Sequence, residues 1–172
     1  MKTSTWKAVE RKVASFLQEK WHGDSASMIA RVPVTGRGRG SAPDIMHPWY
    51  SIEVKHRQKL PVWLKKQVDE SHFMRSVKSN PGVLIGPLRK IGEGPVGTFE
   101  IERQLPKEFV EAMDQAVASM QDGHEECLIV LHEHRMKIED SIAIVLQEQF
   151  IRKFKESKEG LVIGYQAVYS MQ

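Results

Sequence analysis

Apolar and polar residues alternate along 50–57 with the period of a strand: Tyr50, Ile52 and Val54 form one face, and Ser51, Glu53, Lys55 and Arg57 the other. Upstream, Trp6, Val9, Val13, Phe16 and Leu17 recur at helical spacing and predict an amphipathic helix over 5–21, capped by Ser4 or Thr5. A strand is predicted over 27–35, placed near a sheet edge by Pro33. A second helix is predicted over 60–79, with Pro61 in its first turn and Trp63, Leu64, Val68 and Met74 inward. From 81 to 105, glycines and prolines separate two short β-like runs, 83–86 and 98–102, and predict a hairpin excursion. Pro106 opens a third helix, on which Phe109, Met113, Ala116, Val117 and Met120 share a face. The runs 127–132 and 142–146 are apolar without alternation and predict neighbouring buried strands. A basic amphipathic stretch at 150–158 and a last strand at 161–169, suited to a sheet edge or a subunit contact, complete the chain. This order predicts an α/β fold with a central mixed sheet flanked by helices.

A length of 172 residues suits a single domain with a sizeable core. No segment has the apolar length of a membrane span, and the opening residues do not have the pattern of a signal peptide. The lone Cys127 excludes a disulfide framework, so a reducing, cytoplasmic setting is expected. The net charge of +3 conceals an asymmetry: residues 1–66 hold 13 Lys/Arg against 5 Asp/Glu, and the remainder 12 against 17. A basic leading portion suggests a polyanionic partner, with nucleic acid the natural candidate.

The candidate chemistry gathers in that basic portion. A turn at His47-Pro48 would fold the segment bearing Asp44 back against the strand 50–57. Glu53 and Lys55, two apart, project side by side about 6–7 Å apart. Hard divalent cations prefer carboxylate oxygens, and Mg²⁺ commonly takes one or two carboxylates together with water and phosphate oxygens. A lysine beside them could orient or deprotonate a water. Glu10 interrupts the apolar face of the first helix and needs a partner, which a metal-bearing sheet edge or a neighbouring Lys7 or Arg11 would supply. The stretch 35–41 alternates glycine with Arg37 and Arg39 and ends at Ser41, a composition that lets backbone approach a phosphate while guanidinium groups fork onto it. It is not a phosphate-binding P-loop, because no Gly-Lys-Ser/Thr ends it. Arg31, Arg57, Lys65 and Lys66 extend the basic surface. His124, Cys127, His132 and His134 lack the spacing of a zinc finger and are expected to be a buried thiol and ordinary histidines. The plain alternative for the whole motif is a surface hairpin with a Glu53–Lys55 ion pair.

Pro43-Asp44 followed, after eight intervening residues, by Glu53-Val54-Lys55 resembles the PD-(D/E)XK signature of a nuclease superfamily. Ala112, Gln115 and Ala116, then Ile129 to Glu133, then Asp140 to Phe150 follow the order seen in archaeal-type Holliday junction resolvases, which phages also carry. The resemblance implies a restriction-endonuclease-like core in one domain, made of about 5–57 and 105–150, with an inserted hairpin within 58–104 and an extension over 151–172. It implies Mg²⁺, with Mn²⁺ substituting, held by Asp44 and Glu53 with Glu10 contributing directly or through water. Lys55 would orient or deprotonate the attacking water, and Gln115 would accompany it. Leu60-Pro61 and Leu105-Pro106 both open helices, so Gln67 rivals Gln115 for that place. The expected activity is metal-dependent endonuclease action on branched double-stranded DNA by a homodimer that nicks opposed strands of a four-way junction. The alternatives are a restriction- or repair-type endonuclease and a non-catalytic DNA-binding module.

Overall fold

The two apolar runs without alternation become the middle of a sheet. The computed structural model describes residues 5–21, 23–33, 42–68, 72–76, 82–93, 97–99 and 107–159. In chain order these form α1 (Trp6–Lys20), β1 (Ala30–Arg31), β2 (Ile45–Met46), β3 (Tyr50–Arg57), α2 (Val62–Gln67), β4 (Met74–Ser76) and β5 (Val83–Pro87). They continue with β6 (Gly97–Phe99), α3 (Lys107–Ala118), β7 (Glu126–Glu133), β8 (Ile142–Leu146) and α4 (Glu148–Glu159). Among the described residues, eight strands make one mixed sheet in the order β1-β2-β3-β7-β8-β5-β4-β6. The α/β class and the helix-flanked mixed sheet are as the pattern predicts.

β3 runs parallel to β7 with Glu53 beside Ile129 and Lys55 beside Leu131, whereas β2 pairs antiparallel to β3 and β8 antiparallel to β7. β7 is buried from Cys127 to His132 because both sheet faces are covered, which is why its sequence shows no alternation. On one face, α1 lays Val9, Val13 and Leu17 onto Ile45, Ile52, Val54, Leu128 and Val130. On the other, α3 and α4 lay Phe109, Met113, Ala116, Phe150 and Phe154 onto Cys127, Ile129, Leu131 and Ile144. Each fully buried Leu or Ile contributes about 1.5–3 kcal/mol, so these two cores hold the layers together. Among the described residues, no helix is long and apolar enough to cross a membrane.

Several boundaries differ from the sequence reading. Among the described residues, the strand predicted over 27–35 is Ala30–Arg31, because Asp24–Met28 winds into a 3₁₀ turn first. The helix predicted over 60–79 stops at Gln67, and Met74 lies in β4 rather than on a helix face. Among the described residues, the runs 83–86 and 98–102 do not pair as a hairpin: β5 joins β8, and β6 joins β4 in parallel. β5 is buried throughout, so this segment is part of the sheet. Trp6 is exposed rather than inward, and Thr5 flanks α1 without a side-chain cap bond. The strand predicted over 161–169 lies outside the described residues.

Candidate active site

The polar face of β3 points at α3, and the contact between them is hydrogen-bonded rather than only apolar. Ser51 Oγ donates to the carbonyl of Ala116 at 2.7 Å and meets Ser119 Oγ at 2.9 Å, both inside the core. This fixes α3 along β3 and brings Gln115 over the next positions of the same face. Lys55 Nζ donates to Glu53 Oε1 at 2.6 Å and to Gln115 Oε1 at 2.5 Å. The ammonium is thus held between a carboxylate on its own strand and an amide oxygen on the facing helix. It is largely sheltered, with Glu53 more so. Gln115 is therefore the glutamine brought to Lys55, and the side chain of Gln67 lies outside the described residues.

Asp44 is tied to both neighbouring strands. Its carbonyl accepts from the Val32 amide at 2.9 Å, and its own amide donates to the Ile52 carbonyl at 2.8 Å. Its Oδ2 takes the Val54 N–H at 2.9 Å, replacing a backbone carbonyl in the ladder. Val54 N belongs to the peptide unit that follows Glu53, so the Asp44 carboxylate sits one peptide from the Glu53 backbone. Asp44 and Glu53 are both mostly buried, at 9 % and 7 % exposure. The Lys55 ammonium is thus beside the Glu53 carboxylate, and the Asp44 carboxylate is held on the adjacent backbone at Val54 N–H.

Glu10 is buried on α1 and has an engaged oxygen: Arg31 Nε donates to its Oε2 at 2.5 Å. Arg31 stands opposite Ile45, the residue after Asp44, and its guanidinium lies 5.8 Å from the Trp6 ring centre. The Glu10–Arg31 pair thus ties α1 to the outer strand β1, where Arg31 lies beside the residue that follows Asp44. Among the described residues, no three His, Cys, Asp or Glu side chains form a group suited to hold a metal ion. The oxygens of Asp44 and Glu53 remain hard donors on adjacent chain segments, enough for a Mg²⁺ site completed by water and phosphate.

The basic residues divide. Arg57 is exposed at the end of β3, and Lys65 pairs with Glu133 at 2.9 Å. Glu133 also accepts the Leu60 amide at 2.8 Å, and this bond, with that from Lys65, holds its carboxyl below the usual range. Arg37, Arg39 and Ser41 lie outside the described residues, as does the side chain of Lys66. The four residues of the zinc alternative are divided, because Cys127 packs under α3 while His132 stacks with His56 and bonds Ser141 Oγ at 2.9 Å.

Sequence reasoning missed the part played by His47. Its Nδ1 accepts the amides of Trp49 at 3.1 Å and Tyr50 at 3.3 Å, closing the turn that returns the chain from Asp44 to β3. Burial between Trp21 and Tyr50, and then the charge of His124, push its pKa down to about 4, so it serves as a neutral acceptor. The only signal available was a polar residue immediately before Pro48 in a predicted turn. No protein-family model, curated protein or solved structure matches the chain.

Proposed function

We propose that the protein is a metal-dependent DNA endonuclease that resolves four-way junctions through paired nicks made by a homodimer. The observation that carries this reading is the Glu53–Lys55–Gln115 chain with the Asp44 carboxylate one peptide away. A surface hairpin with a stray ion pair accounts poorly for it. Such a pair would stand in solvent, whereas here two carboxylates are mostly buried and a second element supplies an amide oxygen to the lysine.

In this reading Asp44 and Glu53 would hold Mg²⁺, which when bound would supply Lewis-acid polarisation of a phosphate and a more acidic water. The Lys55 ammonium would orient the attacking water and offset charge on the phosphate under attack. Gln115 keeps the Lys55 ammonium on the α3 side of the site, and Ser51 keeps α3 in place. Arg31 neutralises Glu10 and, with Arg57 and the arginines at 37 and 39, favours an approaching phosphate backbone.

Asp44→Asn and Glu53→Gln should each lower Mg²⁺-dependent cutting of a junction by at least about 10²–10³-fold, the range for loss of one electrostatic partner. Junction binding should stay within a few-fold in a gel-shift assay. Cutting at the parental rate by both variants would show that the site lies elsewhere.

A further inference from the structure

Past Lys55, the polar face of β3 and the matching face of β7 continue for one more pair, Arg57 beside Glu133. There the strands open into a cleft of about 520 Å³. Lys65 reaches it from α2, Arg89 from the 3₁₀ turn Leu88–Lys90, and Arg135 and Lys137 from the loop that leaves β7. Its two carboxylates are already engaged: Glu133 by Lys65 and the Leu60 amide, Asp140 by Arg89. Arg135 and Lys137 are exposed, and no ion pair to either is present among the described residues. Arg135 and Lys137 thus leave the mouth of the cleft positive, which favours an anion there.

Arg135 adds a second, independent observation. Its φ is 69°, in the left-handed region, and it is the one described non-glycine residue found there. An L side chain in that region costs on the order of 1–2 kcal/mol. Such strain gathers where a side chain must be aimed at a ligand. Here it turns a guanidinium, the group best shaped to fork onto phosphate oxygens, to the rim of the cleft.

We propose that this cleft holds the phosphodiester backbone of the DNA flanking the cut, with Arg135 and Lys137 each on a phosphate. The proposal rests on the nuclease reading for its geometry. Arg57 lies about 6–7 Å beyond Lys55 along β3. Arg57 is paired with Glu133, which lines the cleft, so the gripped phosphates lie to one side of the scissile one. The cleft would therefore measure how much duplex stands beside the cut.

The test is binding of the full-length protein to a labelled four-way junction in EDTA, followed by anisotropy over a range of KCl concentrations. Arg135→Gly removes the charge and suits the left-handed backbone, and Lys137→Ala removes the second cation. Together they should weaken binding roughly tenfold and reduce the salt slope by about 1.8, the share of two phosphate contacts. Lys137→Arg should bind as the parent does, and so should Arg152→Ala, which removes an exposed cation on α4. An unchanged affinity and slope in the double variant overturns the proposal. So does a double variant that loses pyrophosphate binding but keeps its DNA affinity, since the cleft would then take a free anion. A protein that shows the slope change yet never cuts with Mg²⁺ loses the nuclease reading and keeps the cleft. A parent that binds no DNA loses both.

Discussion

Lys55 shares its protons between Glu53 and Gln115, so its two partners constrain it differently. Lys55→Met should lower single-turnover cutting by about 10²–10⁴-fold, the range for a positioned proton-transfer group. Gln115→Leu leaves the lysine and its carboxylate in place and should cost less, roughly tenfold, with affinity for DNA unchanged. Equal losses in the two variants would mean that Gln115 is more than a positioning residue. His132 sets a pH dependence of the fold. Burial first, and then the charges of His56, Lys12 and His134, push its pKa down to about 4. A histidine that resists protonation when folded and accepts it near 6.5 when unfolded binds fewer protons in the native state. Its contribution is complete above about pH 6.5 and fades as pH falls towards 4. His47, lowered to the same value, acts in the same window. Unfolding free energies from denaturant titrations should therefore drop between pH 7 and 4.5, by on the order of 1–2 kcal/mol for each histidine once solvent screening is allowed for. His132→Gln retains a partner for Ser141 and should flatten part of that drop; an unaltered pH profile would exonerate His132. At this scale, Glu53 and Lys55 were legible because strand periodicity alone places them on one face. Gln115 could not be chosen over Gln67 because the choice depends on which helix crosses β3, a tertiary fact. Glu10 was legible as an anomaly on an apolar face, but its Arg31 partner, from a strand too short to read, was not.

Elements were legible where a single period runs unbroken and obscure where pairing is distant. α1, α3, β3, β7 and β8 follow their sequence patterns closely because each buries one continuous face or two. The segment 60–79 was misread because Val68 and Met74 continue a helical spacing that the chain abandons after Gln67. β5 was read as half of a hairpin because its partner, β8, lies more than fifty residues on. Gly86 shows how closely β5 is built into the sheet. A Cβ there would stand 2.4 Å from Phe73 Cδ2 and 2.9 Å from Phe73 Cα, in a face with no slack. Gly86→Ala should destabilise by about 1–3 kcal/mol, the cost of overpacking, measured by urea denaturation. Gly92→Ala, at φ 85° with nothing near its added methyl, should show only the backbone strain of about 1 kcal/mol. If Gly86→Ala cost no more than Gly92→Ala, β5 would be a loosely attached excursion after all.

At the scale of the whole molecule, the proposed function requires one site per chain to act on two strands. Each chain carries one Asp44–Glu53–Lys55 arrangement, so paired nicks need a second copy. The positive excess is concentrated in residues 1–66, which also carry that arrangement, so DNA should be drawn to this end of each subunit. Phosphate contacts read shape rather than base sequence, and two such ends at a fixed separation fit a branched substrate better than a linear one. A four-way junction should then be cut at least roughly tenfold faster than a linear duplex with the same arm sequences, a preference of about 1.4 kcal/mol in the transition state. Both nicks should appear within one lifetime of the complex. Diluting the protein below its dimer dissociation constant should leave singly nicked junctions. Equal rates on the two substrates would remove the resolvase assignment while leaving the metal-dependent endonuclease standing, because the site chemistry resides in one chain and the branch preference in two.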